Sequence, residues 1–148
     1  MENQPLKLAV EPGKYISYKY IKTNSSKDYI ILYIHGYSDS MKESKSMKME
    51  EISKNIKVDL VKLDLYGHGE SSGELKYMTM DDWYNCCKII TEKIIYPTNK
   101  KIILIGSSLG GWLSYILAEE LKDKIIAVVS IAGAIDFFTE VIEPLIKE

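Results

Sequence analysis

Residues 102–113 read Ile-Ile-Leu-Ile-Gly-Ser-Ser-Leu-Gly-Gly-Trp-Leu, and this stretch decides the fold. Its first four residues are apolar without a break, which is typical of a strand buried on both faces. From Ser108 onward the apolar side chains recur at helical spacing and share one face, namely Leu109, Trp112, Leu113, Ile116 and Leu117. A buried strand that runs through serines and glycines directly into a helix predicts a sharp strand–turn–helix bend at Ser108.

The bend fits the pattern G-x-S-x-G, with Gly106 and Gly110 on either side of Ser108 and Ser107 at the variable position. Glycine at these two positions avoids collisions where the strand and the helix meet. The hydroxyl of Ser108 then stands at a helix N-terminus, whose amides and dipole favour a developing negative charge. We interpret Ser108 as a catalytic nucleophile; the alternative is a tight turn of small residues without a chemical role.

Strand and helix patterns alternate on both sides of this bend. The strand predictions cover residues 15–21, 29–34, 58–63, 101–106 and 125–132. Between them, Ser40–Glu43 fits a capping box and predicts a helix to about Ile56, with Met49, Ile52 and Ile56 on its core face. This alternation predicts an α/β fold, in which a mostly parallel sheet carries helices on both faces.

A second cap-like pattern, Thr79–Asp82, predicts another helix that ends at Pro97 and Asn99. Its core face is predicted to contain Trp83, Cys87, Ile90 and Ile94. A last helix is predicted from Asp136 onward.

Composition limits the function classes. The 148 residues predict one domain, and the formal charge of −2, with 19 lysines as the only cations, argues against nucleic-acid binding. We expect no signal peptide and no membrane span, because the longest uncharged stretch, residues 102–118, is short and rich in serine and glycine. The adjacent Cys86 and Cys87 predict neither a disulfide framework nor a zinc site, so a reducing, cytoplasmic location fits best.

Two further loops are expected to join the bend. His35-Gly36-Tyr37 ends the strand over 29–34, and a backbone amide from this loop can pair with the amide of Leu109 as an oxyanion hole. We interpret His35 as structural, with a noncanonical base role as the alternative. The glycine-rich loop over 64–71 is predicted to shape the pocket rather than to react.

Together, these motifs resemble the α/β-hydrolase superfamily of serine hydrolases over about residues 29–138. The segments 33–38, 106–112 and 131–137 are most similar to the palmitoyl-protein thioesterase branch and its bacterial relatives. The resemblance implies an eight-stranded sheet, a Ser–His–acid triad without metal or other cofactor, and hydrolysis of esters, thioesters or amides through an acyl-enzyme. It matches Ser108 to the nucleophile, and the amides of Tyr37 and Leu109 to the oxyanion hole.

The sequence departs from this pattern after the nucleophile. The triad order is serine, acid, histidine, yet the only two histidines, His35 and His68, both precede Ser108. Asp136 is a candidate acid, although an N-cap role is the preferred interpretation. We expect residues 1–148 to form a single, C-terminally incomplete hydrolase domain that lacks the last strands and, alone, the catalytic base.

Two functional hypotheses follow. The first is a serine hydrolase of small acyl esters or thioesters, with peptides still open as substrates, that takes its base from a separately encoded C-terminal half. The second is a non-catalytic hydrolase remnant or binding module. In either case, the uncharged strand over Ile125–Ala132 is expected to be a sheet edge that associates with another strand or reduces solubility.

Overall fold

The computed structural model describes residues 4–133 and 143–144, and within them six strands form one sheet. The elements in chain order are β1 (Leu6–Glu11), β2 (Lys14–Ile21), β3 (Tyr29–Ile34), α1 (Ser44–Ile56), β4 (Leu60–Leu63), α2 (Met80–Ile90), β5 (Lys101–Ser107), α3 (Leu109–Leu121) and β6 (Ile125–Ile131). The strand order is β1-β2-β4-β3-β5-β6. Strands β3 to β6 are parallel to one another, whereas β1 and β2 pair antiparallel. The predicted α/β architecture is confirmed.

The sheet separates two hydrophobic clusters. The larger one lies between the sheet and the pair α2 and α3, and it contains Ile30, Leu32, Leu104 and Leu113. The smaller one lies under α1 and contains Ile31, Tyr33, Met49 and Leu60. Because neighbouring residues of a strand point to opposite faces, the unbroken apolar runs of β3 and β5 serve both clusters. Within the described residues, no helix is long and apolar enough to cross a membrane.

The first helix begins later than predicted. The capping box at Ser40–Glu43 is wrong: α1 starts at Ser44, and its N-cap Glu43 makes no side-chain capping bond. The preceding residues instead form turns, in which the Asp39 amide donates to the Gly36 carbonyl and the Glu43 amide donates to the Ser40 carbonyl. The backbone of this segment is therefore held against the sheet rather than wound into the helix.

The predicted core face of α1 is also wrong in part. Met49 is buried, but Ile52 and Ile56 are exposed. The buried side chains of α1 include Ser46, Glu50 and Ser53 besides Met49. Polar contacts explain this rotation, because the Glu50 carboxylate lies 2.9 Å from the Lys62 ammonium on β4 and 2.8 Å from that of Lys19 on β2.

The second helix follows its prediction up to Ile90. The Thr79–Asp82 capping box is present in both directions. A π-helical turn over Thr91–Ile95 then shifts the register, so that Ile95 is fully buried while Ile94 is half-buried. Two strand boundaries also differ, since β4 begins at Leu60 rather than Val58 and β1 is not anticipated from the sequence.

Candidate active site

Ser108 occupies the bend between β5 and α3. Its backbone angles are φ 53° and ψ −114°, a strained conformation for a residue with a side chain. Two backbone hydrogen bonds hold the bend: the Ser108 amide donates to the Ile131 carbonyl over 2.9 Å, and the Ser108 carbonyl accepts from the Gly111 amide over 2.9 Å. The predicted strand–turn–helix is confirmed.

The glycines of the bend leave no space for a side chain. A Cβ atom at Gly106 would collide with the backbone carbonyl of Gly110, and one at Gly110 would collide with the backbone carbonyl of Ile34. The end of β5, the start of α3 and the end of β3 are therefore in direct backbone contact. This contact fixes the position of the serine relative to the loop that follows β3.

Only one of the two adjacent serines is accessible. Ser108 is half-buried, whereas Ser107 is buried with its hydroxyl 3.4 Å from the ammonium of Lys45. Of the two side chains, that of Ser108 is thus the one available to a substrate.

The loop after β3 lies directly against the bend. A Cβ atom at Gly36 would sit 3.2 Å from the Ser107 carbonyl oxygen and 3.4 Å from the Ser108 Cβ. The structure therefore brings together the two loops that contain Tyr37 and Leu109. The exposed ring of Tyr37 packs edge-on to Trp83 of α2 at 5.9 Å between centroids.

His35 is buried and engaged through both ring nitrogens. Nε2 accepts from the Leu65 amide over 3.0 Å, so Nδ1 carries the proton and donates to the Gly36 carbonyl over 2.7 Å. Burial lowers the pKa of His35 to about 4, which keeps the ring neutral at physiological pH. This geometry favours the structural interpretation of His35 over a role as a base.

His68 is held in the same manner. Its Nε2 accepts from the Ser38 amide over 3.1 Å, and its Nδ1 donates to the Tyr66 carbonyl over 3.1 Å. Burial also lowers the pKa of His68. The rings of His35 and His68 lie 4.9 Å apart and together connect the loop after β3 to the glycine-rich loop after β4.

Asp64 organises the glycine-rich loop. Its carboxylate accepts from the Met41 amide over 2.8 Å and from the Glu70 amide over 2.9 Å. Burial raises the pKa of Asp64, and the backbone of Gly69 packs so closely on the carboxylate that no side chain would fit. These contacts support the shaping role expected of the loop.

Lys62 is a buried lysine that the motif analysis missed. Its ammonium donates to the Met41 carbonyl and to the Ser46 hydroxyl, both over 2.9 Å, and lies 2.9 Å from the Glu50 carboxylate. Burial lowers its pKa. The sequence signal was a single charge inside an apolar strand. Lys62 and Asp64 hold the carbonyl and the amide of Met41, and this fixes the segment between the bend loop and α1.

A nucleophile-type serine bend at the carboxyl edge of a mostly parallel α/β sheet defines the class, and the chain has the architecture of an α/β-hydrolase. The family profile described as serine aminopeptidase, S33 matches residues 25–148, so the chain belongs to this family of hydrolases. Asp136 lies outside the described residues.

Relatives with known names agree with this assignment. The bovine (Bos taurus) mitochondrial palmitoyl-protein thioesterase ABHD10 is 32% identical over 121 residues, which are 82% of this chain and 38% of that protein. The mouse α/β hydrolase domain-containing protein 10 has a TM-score of 0.80 and 27% identity, and the match covers 97% of this chain and 57% of that one. Est1E from Butyrivibrio proteoclasticus, solved with ferulic acid, has a TM-score of 0.78 at 21% identity, covering 94% and 56%, and shows the shared fold. This chain corresponds to the N-terminal portion of these folds.

Proposed function

We propose that this chain contributes the nucleophile and the oxyanion hole of a serine hydrolase acting on acyl esters or thioesters. Ser108 is the nucleophile, and the amides of Tyr37 and Leu109 stabilise the oxyanion. The observation that carries the proposal is the strained, half-buried Ser108 at the N-terminus of α3, with the loop of Gly36 packed against it.

The chemistry follows from this arrangement. The Ser108 oxygen attacks the acyl carbonyl, its proton passes to a base, and the alcohol or thiol leaves from the tetrahedral intermediate with a returned proton. Water then cleaves the acyl-serine ester by the same sequence. Two amides aimed at the oxyanion supply much of the stabilisation, and the loss of one such donor typically costs about 3 kcal/mol of activation free energy.

The base has to come from outside the described residues. Both nitrogens of His35 and both of His68 are engaged by backbone groups, which leaves neither ring able to accept the serine proton. We propose a histidine on a C-terminal half, encoded separately from this chain. The match to only 57% of the mouse structure supports this assignment. Asp136 stays a candidate acid, with a helix N-cap as its alternative role.

The substrate class is argued from the relatives. The bovine relative is named a palmitoyl-protein thioesterase, and the family is named for serine aminopeptidases. We propose acyl thioesters and esters for this chain, because the protein with the higher sequence identity carries a thioesterase name. A peptidase activity is the next candidate.

A non-catalytic role is the second candidate function. The engagement of both histidines favours it, since a chain without an available base leaves the serine hydroxyl weakly nucleophilic at neutral pH. In this case the chain is a hydrolase remnant or a binding module that retains the fold and not the reaction.

We also propose association through the β6 edge and a reducing, cytoplasmic location. Strand β6 pairs with β5 on one side only, and it carries no charge or proline. Such an edge pairs readily with another strand. The two buried, free thiols of Cys86 and Cys87 support the location, although the bovine relative is mitochondrial.

A fluorophosphonate probe tests the proposed function. The chain is expressed alone and together with all coding sequence that follows Glu148 in its native locus, and labelling is mapped by mass spectrometry. We expect labelling of Ser108 in the second preparation, its loss in Ser108→Ala, and its retention in the matched control Ser107→Ala. Absence of labelling in both preparations, with the protein folded, would support the non-catalytic role and contradict the enzymatic one.

A further inference from the structure

One face of the sheet is uncovered over β5 and β6. Residues paired across parallel strands point to the same side, and the pairs Tyr33–Ile105, Ile105–Val129 and Ser107–Ile131 carry the α1 side of the sheet outward from β3. On this side α1 contacts β3 and β4, whereas the opposite side of β5 and β6 is covered by α3. As a result, 46% of Val129 and 38% of Ile131 are exposed.

The flank of α1 that faces β5 is apolar and exposed as well. The Lys45 ammonium reaches the Ser107 hydroxyl on β5, which identifies the flank. Ile52 and Ile56 lie seven and eleven residues further along α1, close to two and three whole helical turns, so they share this flank. Their exposed fractions are 37% and 48%.

These two surfaces form one apolar trough, with a floor in the sheet and a wall on α1. We define the trough by Ile52, Ile56, Ile103, Ile105, Val129 and Ile131. Its width suits a helix, because helices pack about 8–10 Å apart and the floor spans the two strands beside α1. The helical periodicity of α1 places Ile52 and Ile56 on a core-facing stripe with Met49, yet the structure buries only Met49. The sequence pattern and the observed exposure are reconciled if another element covers the trough.

We propose that the trough is the docking site of an amphipathic helix from the polypeptide that completes the hydrolase domain, packed beside α1. The helix presents an apolar stripe to the sheet and acidic side chains to the lysines at the two ends of the wall. At one end lies Lys45, and at the other Lys27 donates to the Ile56 carbonyl over 3.0 Å. The inference rests on the proposed function, since the completing polypeptide is also the source of the base.

Two other occupants fit less well. A second copy paired through the β6 edges would extend the sheet within its own plane, and the trough would stay bare. The connection that follows β6 in a right-handed α/β fold runs on the α3 side of the sheet, away from the trough. The remaining 43% of the mouse chain, beyond the 57% that matches, is long enough to contribute a strand at the edge and a helix on the face.

Cysteine accessibility tests the proposal. Ile56→Cys and Val129→Cys are made one at a time, with Tyr77→Cys and Tyr115→Cys as exposed controls away from the trough. The native thiols of Cys86 and Cys87 are fully buried and give no background. Maleimide labelling rates are compared between the chain alone and the chain expressed with the coding sequence that follows Glu148.

We expect labelling at positions 56 and 129 to slow at least tenfold in the second preparation, while positions 77 and 115 keep their rates. Unchanged rates at 56 and 129 would overturn the proposal. Slow labelling in the chain alone would also overturn it, in favour of a second copy if dilution restores the rate and of the chain's own C-terminal residues if dilution does not. Fluorophosphonate labelling of Ser108 in the same samples reports separately on the proposed function, so either claim can fail without the other.

Discussion

Strand β5 borders two regions with opposite packing. At its carboxyl end, the backbone around Gly106 and Gly110 is in direct contact with neighbouring carbonyls, and no side chain fits. Along its outer side, β6 and the flank of α1 leave Ile52, Val129 and Ile131 exposed. The comparison teaches that the nucleophile geometry is completed by residues of this chain alone, whereas the cover of the sheet and the proton acceptor depend on other residues.

The largest effect is expected where backbone touches backbone. In Gly110→Ala, the new Cβ collides with the Ile34 carbonyl, which cannot move without displacing β3. We expect a loss of about 3 kcal/mol or more in the free energy of unfolding, measured by urea denaturation. The control Gly13→Ala also has a positive φ but an open surrounding, and it should lose about 1 kcal/mol. Equal losses in the two variants would contradict the tight contact at the bend.

A matched pair of isoleucines compares the two regions directly. Ile102 of β5 is fully buried under α3, whereas Ile131 of β6 is 38% exposed at the trough. We expect Ile102→Ala to lose about 3 kcal/mol and Ile131→Ala about 1 kcal/mol or less in the free energy of unfolding. A cost at Ile131 as large as that at Ile102 would show that the trough is already covered in the chain alone.

The pH dependence of stability tests the assignment of His35 to the finished region. The ring is neutral in the folded state with a pKa of about 4, and its unfolded pKa is about 6.5, so protons bind the unfolded chain more tightly. Stability is therefore complete above about pH 6.5 and declines as the pH falls toward 4, with about 2 kcal/mol lost at pH 5. Urea midpoints at pH 7 and pH 5 measure this loss. His35→Gln should flatten the profile even if it lowers stability throughout, and an unchanged slope would argue that another group is responsible.

The smallest effect on stability is expected at the edge. Val129→Lys places a charge on an exposed position of β6 and should change the free energy of unfolding by less than about 0.5 kcal/mol. It should nevertheless reduce self-association, because charge on an edge strand opposes pairing. Light scattering of the two proteins gives the comparison. A parent chain that is already monodisperse and monomeric would contradict the association proposed for β6.

The parts of the molecule that could be predicted are those set by local spacing. The apolar runs of β3 and β5, the capping box at Thr79 and the glycines around Ser108 each depend on neighbours within a few residues. The start of α1 was missed because long-range partners decide it: Lys62 and Asp64 hold Met41 in place and keep the preceding turns outside the helix. Ile52 was predicted as core for its periodicity, and periodicity does not reveal whether a partner element is present.

The candidate site divides in the same way. Ser108 could be identified from its motif, since the bend needs only its own glycines and the strand and helix beside it. The double engagement of His35 and His68 could not be anticipated, because their acceptors and donors lie in loops about 30 residues apart in sequence. Lys62 was overlooked since a lysine in a short apolar strand has no motif of its own.

The most direct test of the account is a crystal structure of the fluorophosphonate adduct, prepared with the coding sequence that follows Glu148. We expect the phosphorus on the oxygen of Ser108, and the phosphoryl oxygen within about 2.7–3.1 Å of the amide nitrogens of both Tyr37 and Leu109. An adduct on another residue, or a phosphoryl oxygen directed away from these two amides, would contradict the assignment of Ser108 as the nucleophile of a serine hydrolase.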